Sequence, residues 1–445
     1  MLFKQLIADD LGCASYLVGD EHAGTAVVVD PSYAIEPYLD ECERHGVRLV
    51  AVLETHTHAD HVSGHGRLAL EHGVPVRIHP AAEAQYPHEP FDDGTEIELG
   101  SIVVRVVHTP GHRPEHCALA VVDRTRGDEP WLVLTGDSLF VGDAARPDLA
   151  VEAREGAEAM FHSLQRLVEL GDGVEVFPGH VAGSLCGAAM SSKASTTIGY
   201  ERRFNHRLVA NHDEFVADST GPQPPKPPNM ERIVEINRGP FLGAQPPLAR
   251  IDDAPDAVLL DVRPPHAFAD GHRPGAANVP VAGSSFATKA AFVLPERPVL
   301  IEASDEDEAV SAARALHAVG LFDLAGWRPG SGDERVEPVT LDELERMLAT
   351  NEIELVDVRE PDERDEASIP GSTHLPYRVA RQAAENGLCN GERPLVTICE
   401  SGARAAIAAS VLTAAGVAAR PVLDGGIEEW TARGGEVTSF RRCGS

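Results

Sequence analysis

No apolar run in this chain is long enough to span a bilayer. Its first residues, Met1-Leu2-Phe3-Lys4-Gln5-Leu6, soon meet two aspartates and lack a signal-peptide pattern. A cytoplasmic protein with no membrane partner is expected. Positive charge is in short supply: 38 Lys and Arg against 70 Asp and Glu leave a formal net charge of −32. That balance argues against nucleic acid or an anionic membrane as the main partner. An anionic substrate would have to be drawn in locally, by a metal, an arginine or a helix N-terminus. Aromatic residues make up 5% of the chain, so cores drawn from its 43% hydrophobic residues must rest on Val, Leu, Ile and Ala. The seven cysteines (13, 42, 117, 186, 389, 399, 443) form no CxxC pair and no disulfide-like framework, as befits reduced thiols in a cytosol. The chemical question is which of them sits in an activating setting.

At 445 residues the chain is too long for one ordinary domain. Up to about residue 210, β-rich runs (25–29, 48–53, 74–78, 102–107, 118–122, 131–134, 174–177) alternate with helical stretches (35–45, 65–72, 153–170). The proline-rich stretch Gly221-Pro222-Gln223-Pro224-Pro225-Lys226-Pro227-Pro228 fits neither a helix nor a central strand, and reads as a loop or linker. Beyond it lies an internal repeat. Leu260-Asp261-Val262-Arg263 answers Val356-Asp357-Val358-Arg359, and Pro298-Val299-Leu300-Ile301 answers Pro394-Leu395-Val396-Thr397, both at an offset of 96 residues. Three domains are expected, at 1–238, 239–335 and 336–445, all α/β.

Thr55-His56-Thr57-His58-Ala59-Asp60-His61 places three imidazoles and a carboxylate directly after the apolar run 49–53. Imidazole and carboxylate suit Zn or Fe(II), and a turn after a strand can aim several side chains at one point. Further donors follow other apolar runs, each beside a glycine: Thr109-Pro110-Gly111-His112, Thr135-Gly136-Asp137 and Phe177-Pro178-Gly179-His180.

This series, HxHxDH then TPGH, GD and PGH, resembles the metallo-β-lactamase superfamily, in the branch that holds glyoxalase II and the persulfide dioxygenases. The resemblance implies an αββα sandwich with the metal at one edge of the two sheets. A glyoxalase II-like dinuclear zinc site would use His56, His58, His112 and Asp137 for one ion, and Asp60, His61, His180 and a bridging Asp137 for the other. A persulfide dioxygenase-like site would hold a single Fe(II) on His56, His112 and Asp137, leaving coordination positions open for a substrate sulfur and O2. His58, Asp60, His61 and His180 would then orient ligands and exchange protons. Ligand letters alone do not separate the two.

A second candidate centre lies near the other end. Thr397-Ile398-Cys399-Glu400-Ser401-Gly402-Ala403-Arg404 follows an apolar run and opens a helical stretch, 405–415. A cysteine at a strand-to-helix turn meets backbone N–H groups and the positive end of a helix, and both stabilise a thiolate. Arg404 can pair with an anion held by the loop of Glu400, Ser401, Gly402 and Ala403. With Asp357-Val358-Arg359, Ile369-Pro370-Gly371 and Gly425-Gly426-Ile427-Glu428-Glu429-Trp430, the segment resembles a rhodanese sulfurtransferase. The resemblance implies a Cys399 persulfide that passes sulfur to a thiol or sulfite. In the earlier copy, Cys399 falls on Ala303 and Arg404 on Glu308, with Ser304-Asp305-Glu306-Asp307 between them. That copy lacks a nucleophile and would repel anionic sulfur, so it is expected to be inactive.

The whole resembles the fused persulfide dioxygenase–sulfurtransferases of bacterial sulfide detoxification. Its implied reactants are a low-molecular-weight thiol persulfide, O2 and sulfite or thiosulfate. One Fe(II) per chain is expected, with two Zn as the alternative, and a homo-oligomer. Cys186, just after His180, is a further candidate for holding a persulfide. Arg146 and Asp148 match a structural Arg-x-Asp element of the family, and Tyr200, Arg202 and Arg203 could meet the substrate's polar tail.

Overall fold

The computed structural model describes residues 1–8, 10–181, 191, 193–221, 223, 225–226, 228–387 and 393–440. The chain divides into two units, Met1–Gln245 with His317–Gly320, and Pro246–Leu316 with Leu321–Ser445.

The first unit holds two six-stranded sheets. One contains β1 (Leu2–Ala8), β2 (Cys13–Asp20), β3 (Thr25–Val29), β4 (Arg48–Leu53), β5 (Val76–Ile78) and β6 (Glu89–Pro90), side by side in sequence order. The other contains β7 (Glu96–Leu99), β8 (Ile102–His108), β9 (Cys117–Asp123), β10 (Leu132–Gly136), β11 (Glu175–Pro178) and β12 (Thr196–Thr197), again in sequence order. The period of two along a strand sorts the apolar side chains into layers. Ala14, Tyr16 and Val18 of β2 and Val27 and Val29 of β3 meet Leu119 and Val121 of β9 and Leu132 and Leu134 of β10 between the sheets. The alternate residues Leu17, Ala26 and Val28 face the helix Glu36–His45, through Tyr38 and Cys42. Ala118, Ala120 and Val133 face the helix Ala153–Val168, through Ala157, Met160 and Leu164. This is the αββα sandwich expected.

β1 and β2 do not figure among the expected strands. β1 is an edge strand of mostly half-buried residues, and β2 is buried on both faces, so neither alternates. The first unit also continues past residue 238. Phe241 stacks on Tyr86 with ring centroids 4.7 Å apart, and the carbonyl of Gly243 accepts the Tyr33 hydroxyl at 2.8 Å.

The second unit contains two four-stranded parallel sheets of the same topology. β13 (Val258–Asp261), β14 (Ala277–Asn278), β15 (Val299–Ala303) and β16 (Leu324–Pro329) lie in the order β14-β13-β15-β16. β17 (Glu354–Asp357), β18 (Thr373–His374), β19 (Leu395–Ile398) and β20 (Ala419–Pro421) lie in the order β18-β17-β19-β20. The repeat extends to single hydrogen bonds. Arg263 grips Asp261 (Nη2–Oδ2 2.6 Å) and the carbonyl of Gly271, as Arg359 grips Asp357 (Nη2–Oδ2 2.9 Å) and the carbonyl of Ala367.

One apolar core runs through both copies, and the later copy has a further cluster of its own around Leu344, Leu355, Val396 and Trp430. The helix Ala403–Ala414 is buried on every side, from Ala405 to Leu412, and its Ser410 hydroxyl accepts the N–H of Asn278 at 2.8 Å. A helix that is apolar all round has to be covered all round. Among the described residues no helix is long and apolar enough to cross a membrane.

Candidate metal centre and cysteine loop

Six segments converge at one edge of the sandwich: the turns after β3, β4, β8, β10 and β11, and the first residue of β2. Among the described residues three candidate ligand groups are formed there, His56–His112–Asp137, Asp30–Glu54–His58 and Cys13–Asp60–His61–His180, each with its donor atoms within 4.8 Å of one another.

In the first group Asp137 Oδ2 lies 4.0 Å from His56 Nε2 and 3.6 Å from His112 Nε2. That oxygen is buried and has no hydrogen-bond partner. A buried carboxylate oxygen left unpaired is costly unless a cation completes it, so these residues fit a metal. The surrounding groups fix which ring nitrogens face the site. Thr55 Oγ1 donates its single proton to Asp30 Oδ2 (2.8 Å) and so accepts from His56 Nδ1 (2.9 Å), leaving the Nε2 lone pair free to bind. His112 Nδ1 donates to the carbonyl of Arg146 (2.9 Å), with the same result. Burial, seconded by the neighbouring imidazoles, lowers the pKa of His56, and burial lowers that of His112, so both stay neutral. Asp137 is held from two sides. Its N–H donates to His116 Nε2 at 2.9 Å, and its Oδ1 accepts from His180 Nδ1 at 2.7 Å. Burial pushes His116 down to about 3, keeping Nε2 an acceptor. Gly136 carries φ +47°, and a side chain there would meet His116 Nε2 at 2.7 Å.

Thr55→Val is expected to weaken metal binding on the order of 10–100-fold by releasing the His56 ring. A competition titration against a chelator measures it, and unchanged affinity would refute the orienting role.

His58 is drawn elsewhere. Its Nε2 lies 3.3 Å from both Asp30 Oδ1 and Glu54 Oε2. Burial and His61 oppose its charge, but the two carboxylates outweigh them and hold its pKa up at about 9. Asp60, His61 and His180 gather in the third group, around a residue that sequence reasoning did not single out. Cys13 Sγ lies 3.4 Å from His61 Nδ1, 3.3 Å from His180 Nε2 and 3.5 Å from Asp60 Oδ2. Nothing local in the sequence marks it, because it reaches the site by an antiparallel bridge to His180, far along the chain.

Cys186 lies outside the described residues. Arg146 and Asp148 form a two-pronged ion pair (2.7 and 2.9 Å) that steadies the loop whose carbonyl holds His112. Arg202 is paired with Asp172 at 2.7 Å, and Tyr200 packs on Phe204.

In the second unit Cys399 follows β19 and sits at the N-terminal side of the helix Ala403–Ala414, 1% exposed. Its Sγ accepts the N–H groups of Gly402 (3.1 Å) and Ala405 (3.4 Å). Gly402 carries φ +98°, and a side chain there would strike the carbonyl of Leu423. Arg404 closes the loop in an ion pair with both oxygens of Glu363 (2.5 and 2.6 Å), and Glu400 pairs with Arg359 (2.9 Å). An incoming anion thus competes with Glu363 for Arg404. In the earlier copy, Glu308 turns back so that its carboxylate accepts the N–H of Ser304 in the corresponding loop.

The Metallo-beta-lactamase superfamily model matches residues 8–180. An uncharacterized protein of Mycobacterium tuberculosis is 31% identical over 231 residues, which cover 46% of this chain and 96% of that one. The chain belongs to the metallo-beta-lactamase superfamily. It also carries a Rhodanese-like domain, matched over residues 340–433. The human protein named persulfide dioxygenase ETHE1, mitochondrial, is 28% identical over 254 residues, covering 56% of this superfamily member and 91% of the human protein. Among solved structures, a metallo-beta-lactamase from Staphylococcus aureus superposes with a TM-score of 0.69 at 27% identity. It covers 74% of this chain and 99% of its own.

Proposed function

We propose that the chain is a non-heme iron persulfide dioxygenase coupled to a rhodanese sulfurtransferase. Residues 1–238 would form the dioxygenase domain, 239–335 a rhodanese-like domain without a nucleophile, and 336–445 the active rhodanese domain. The dioxygenase would oxidise a low-molecular-weight thiol persulfide: RSSH + O2 + H2O gives RSH + sulfite + two protons. Sulfite would then take the outer sulfur from a Cys399 persulfide, releasing thiosulfate and the Cys399 thiolate. The reverse step would regenerate persulfide from thiosulfate.

The observation that carries the reading is the division of labour around Asp137. His56 Nε2, His112 Nε2 and Asp137 Oδ2 converge as a set of two imidazoles and one carboxylate, while Asp137 Oδ1 is occupied by His180 and His58 by Asp30 and Glu54. Bound there, Fe(II) would supply open positions for O2 and a sulfur ligand. Thr55, Arg146 and His180 keep the three donors aimed, and the protein around them keeps bulk water out. The ETHE1 relatives and the Cys399 loop in the same chain support sulfur chemistry over thioester hydrolysis.

Metal analysis combined with an oxygen electrode tests the proposal. One iron at the His56–His112–Asp137 site and O2 uptake dependent on glutathione persulfide are expected. Zinc at that site and hydrolysis of S-lactoylglutathione without O2 uptake would refute it.

A further inference from the structure

The turn that carries the His56–His61 run does not satisfy its own backbone. His58 and His61 are buried, and among the described residues no backbone N–H reaches the carbonyl of either. Buried carbonyls of this kind need partners from elsewhere in the chain. One side chain supplies both. Asn237 Nδ2 donates to the carbonyl of His58 at 3.0 Å and to that of His61 at 2.8 Å. Its Oδ1 accepts the N–H of Ser63 at 2.9 Å. Two donors and one acceptor set against two carbonyls and an N–H admit a single orientation of the amide. Asn237 is itself buried, and the proposed reaction leaves it without a role.

The clamp is anchored on its other side. Asn237 stands in the last turn of the helix Met230–Arg238, whose Ile233 is fully buried. The carbonyl of Arg238 accepts the N–H of Gln85 at 2.7 Å, and its guanidinium pairs with Glu83 at 2.8 Å. These contacts fix the helix end apart from the metal turn. Within the turn, Ser63 carries the constraint inward. Its hydroxyl donates to Glu54 Oε1 at 2.6 Å and accepts the N–H of His65 at 3.1 Å.

We propose that Asn237 is a positioning residue of the metal centre, holding the 58–63 turn so that His56 enters the site in one direction. Upstream, the segment is pinned by Asp30, which accepts the N–H and the hydroxyl of Thr55 at 2.7 and 2.8 Å. Downstream, it is pinned by Asn237. A ligand on a segment held at both ends has little freedom to swing away from His112 and Asp137. The amide is specific to the task. An aspartate would turn a carboxylate oxygen towards two carbonyl oxygens, and an alanine would leave three buried backbone groups unpaired. The role rests on a metal at the His56–His112–Asp137 site, whichever reaction that metal performs.

The test uses the full chain and the variants Asn237→Asp, Asn237→Ala and Ile233→Ala. The last removes apolar packing from the same helix but leaves the amide in place, and so reports what destabilisation alone does. Amide hydrogen exchange is read on the metal-free chain. The Ser63 amide should be protected in the wild type, and should exchange on the order of 10-fold faster or more in both Asn237 variants. Ile233→Ala should not single out that turn. Competition against a chelator with Co2+ as the probe should then show affinity lowered on the order of 10–100-fold in both Asn237 variants. The visible spectrum of the bound Co2+ should change with it, while Ile233→Ala keeps the wild-type affinity and spectrum. Rapid exchange of the Ser63 amide in the wild type overturns the proposal with no variant needed. Wild-type affinity in Asn237→Asp overturns it equally, as does the same loss of affinity in Ile233→Ala at matched stability. No readout depends on O2 uptake, so failure here is distinguishable from failure of the dioxygenase reading.

Discussion

Asp137→Asn should cut persulfide-dependent O2 uptake by more than about 100-fold and strip metal from the His56–His112 pair, while leaving sulfur transfer at Cys399 intact. The lower bound is the upper end of what losing a residue that merely supports a ligand costs; here the ligand itself changes. The substitution keeps the side chain's shape and an oxygen for His180 Nδ1 to bond, but it removes the charge on the buried atom, Oδ2, that otherwise has no partner. Two neutral imidazoles would then face a cation with no anion beside them. Metal content by mass spectrometry and oxygen-electrode rates, measured on the same preparation, check it. A variant that retained both iron and uptake would remove Asp137 from the metal site.

Cys399→Ala is the complementary result. Sulfur transfer from thiosulfate to a thiol or cyanide acceptor should fall by on the order of 10³-fold or more, as expected when a covalent nucleophile is deleted. O2 uptake with added thiol persulfide should be untouched. The methyl group occupies less space than the thiol, and Gly402 and Ala405 lose only a sulfur acceptor for their N–H groups, so the loop should stay folded. Loss of both activities would mean that the two centres are not separable.

How much of this was legible in the sequence follows from how local each feature is. The His56–His61 run could be read because its residues adjoin each other after an apolar strand, and His112, Asp137 and His180 because each follows a strand of its own. Their sorting into groups could not be read. His58 is drawn off by Asp30, a residue at the end of β3 separated from it by a whole helix and strand. Cys13 meets His180 through strand pairing that no periodicity announces. The repeat at 96 residues gave the two four-stranded sheets their shared topology. It did not give their common core, because the all-apolar helix Ala403–Ala414 reads from sequence simply as a helix. Glu363, the partner of Arg404, escaped notice as one acid in a run of charged residues.

The Glu308 carboxylate folded onto Ser304 N–H has a consequence for the history of the earlier copy. A tethered anion competes at an effective concentration on the order of millimolar, with no translational entropy to lose. A cysteine introduced at position 303 would therefore sit beside a loop already occupied by the chain's own side chain. Transfer activity there would require the nucleophile to appear and the tethered carboxylate to leave together. On the proposed reading, such a copy stays without transfer activity while still contributing to the apolar core it shares with residues 336–445.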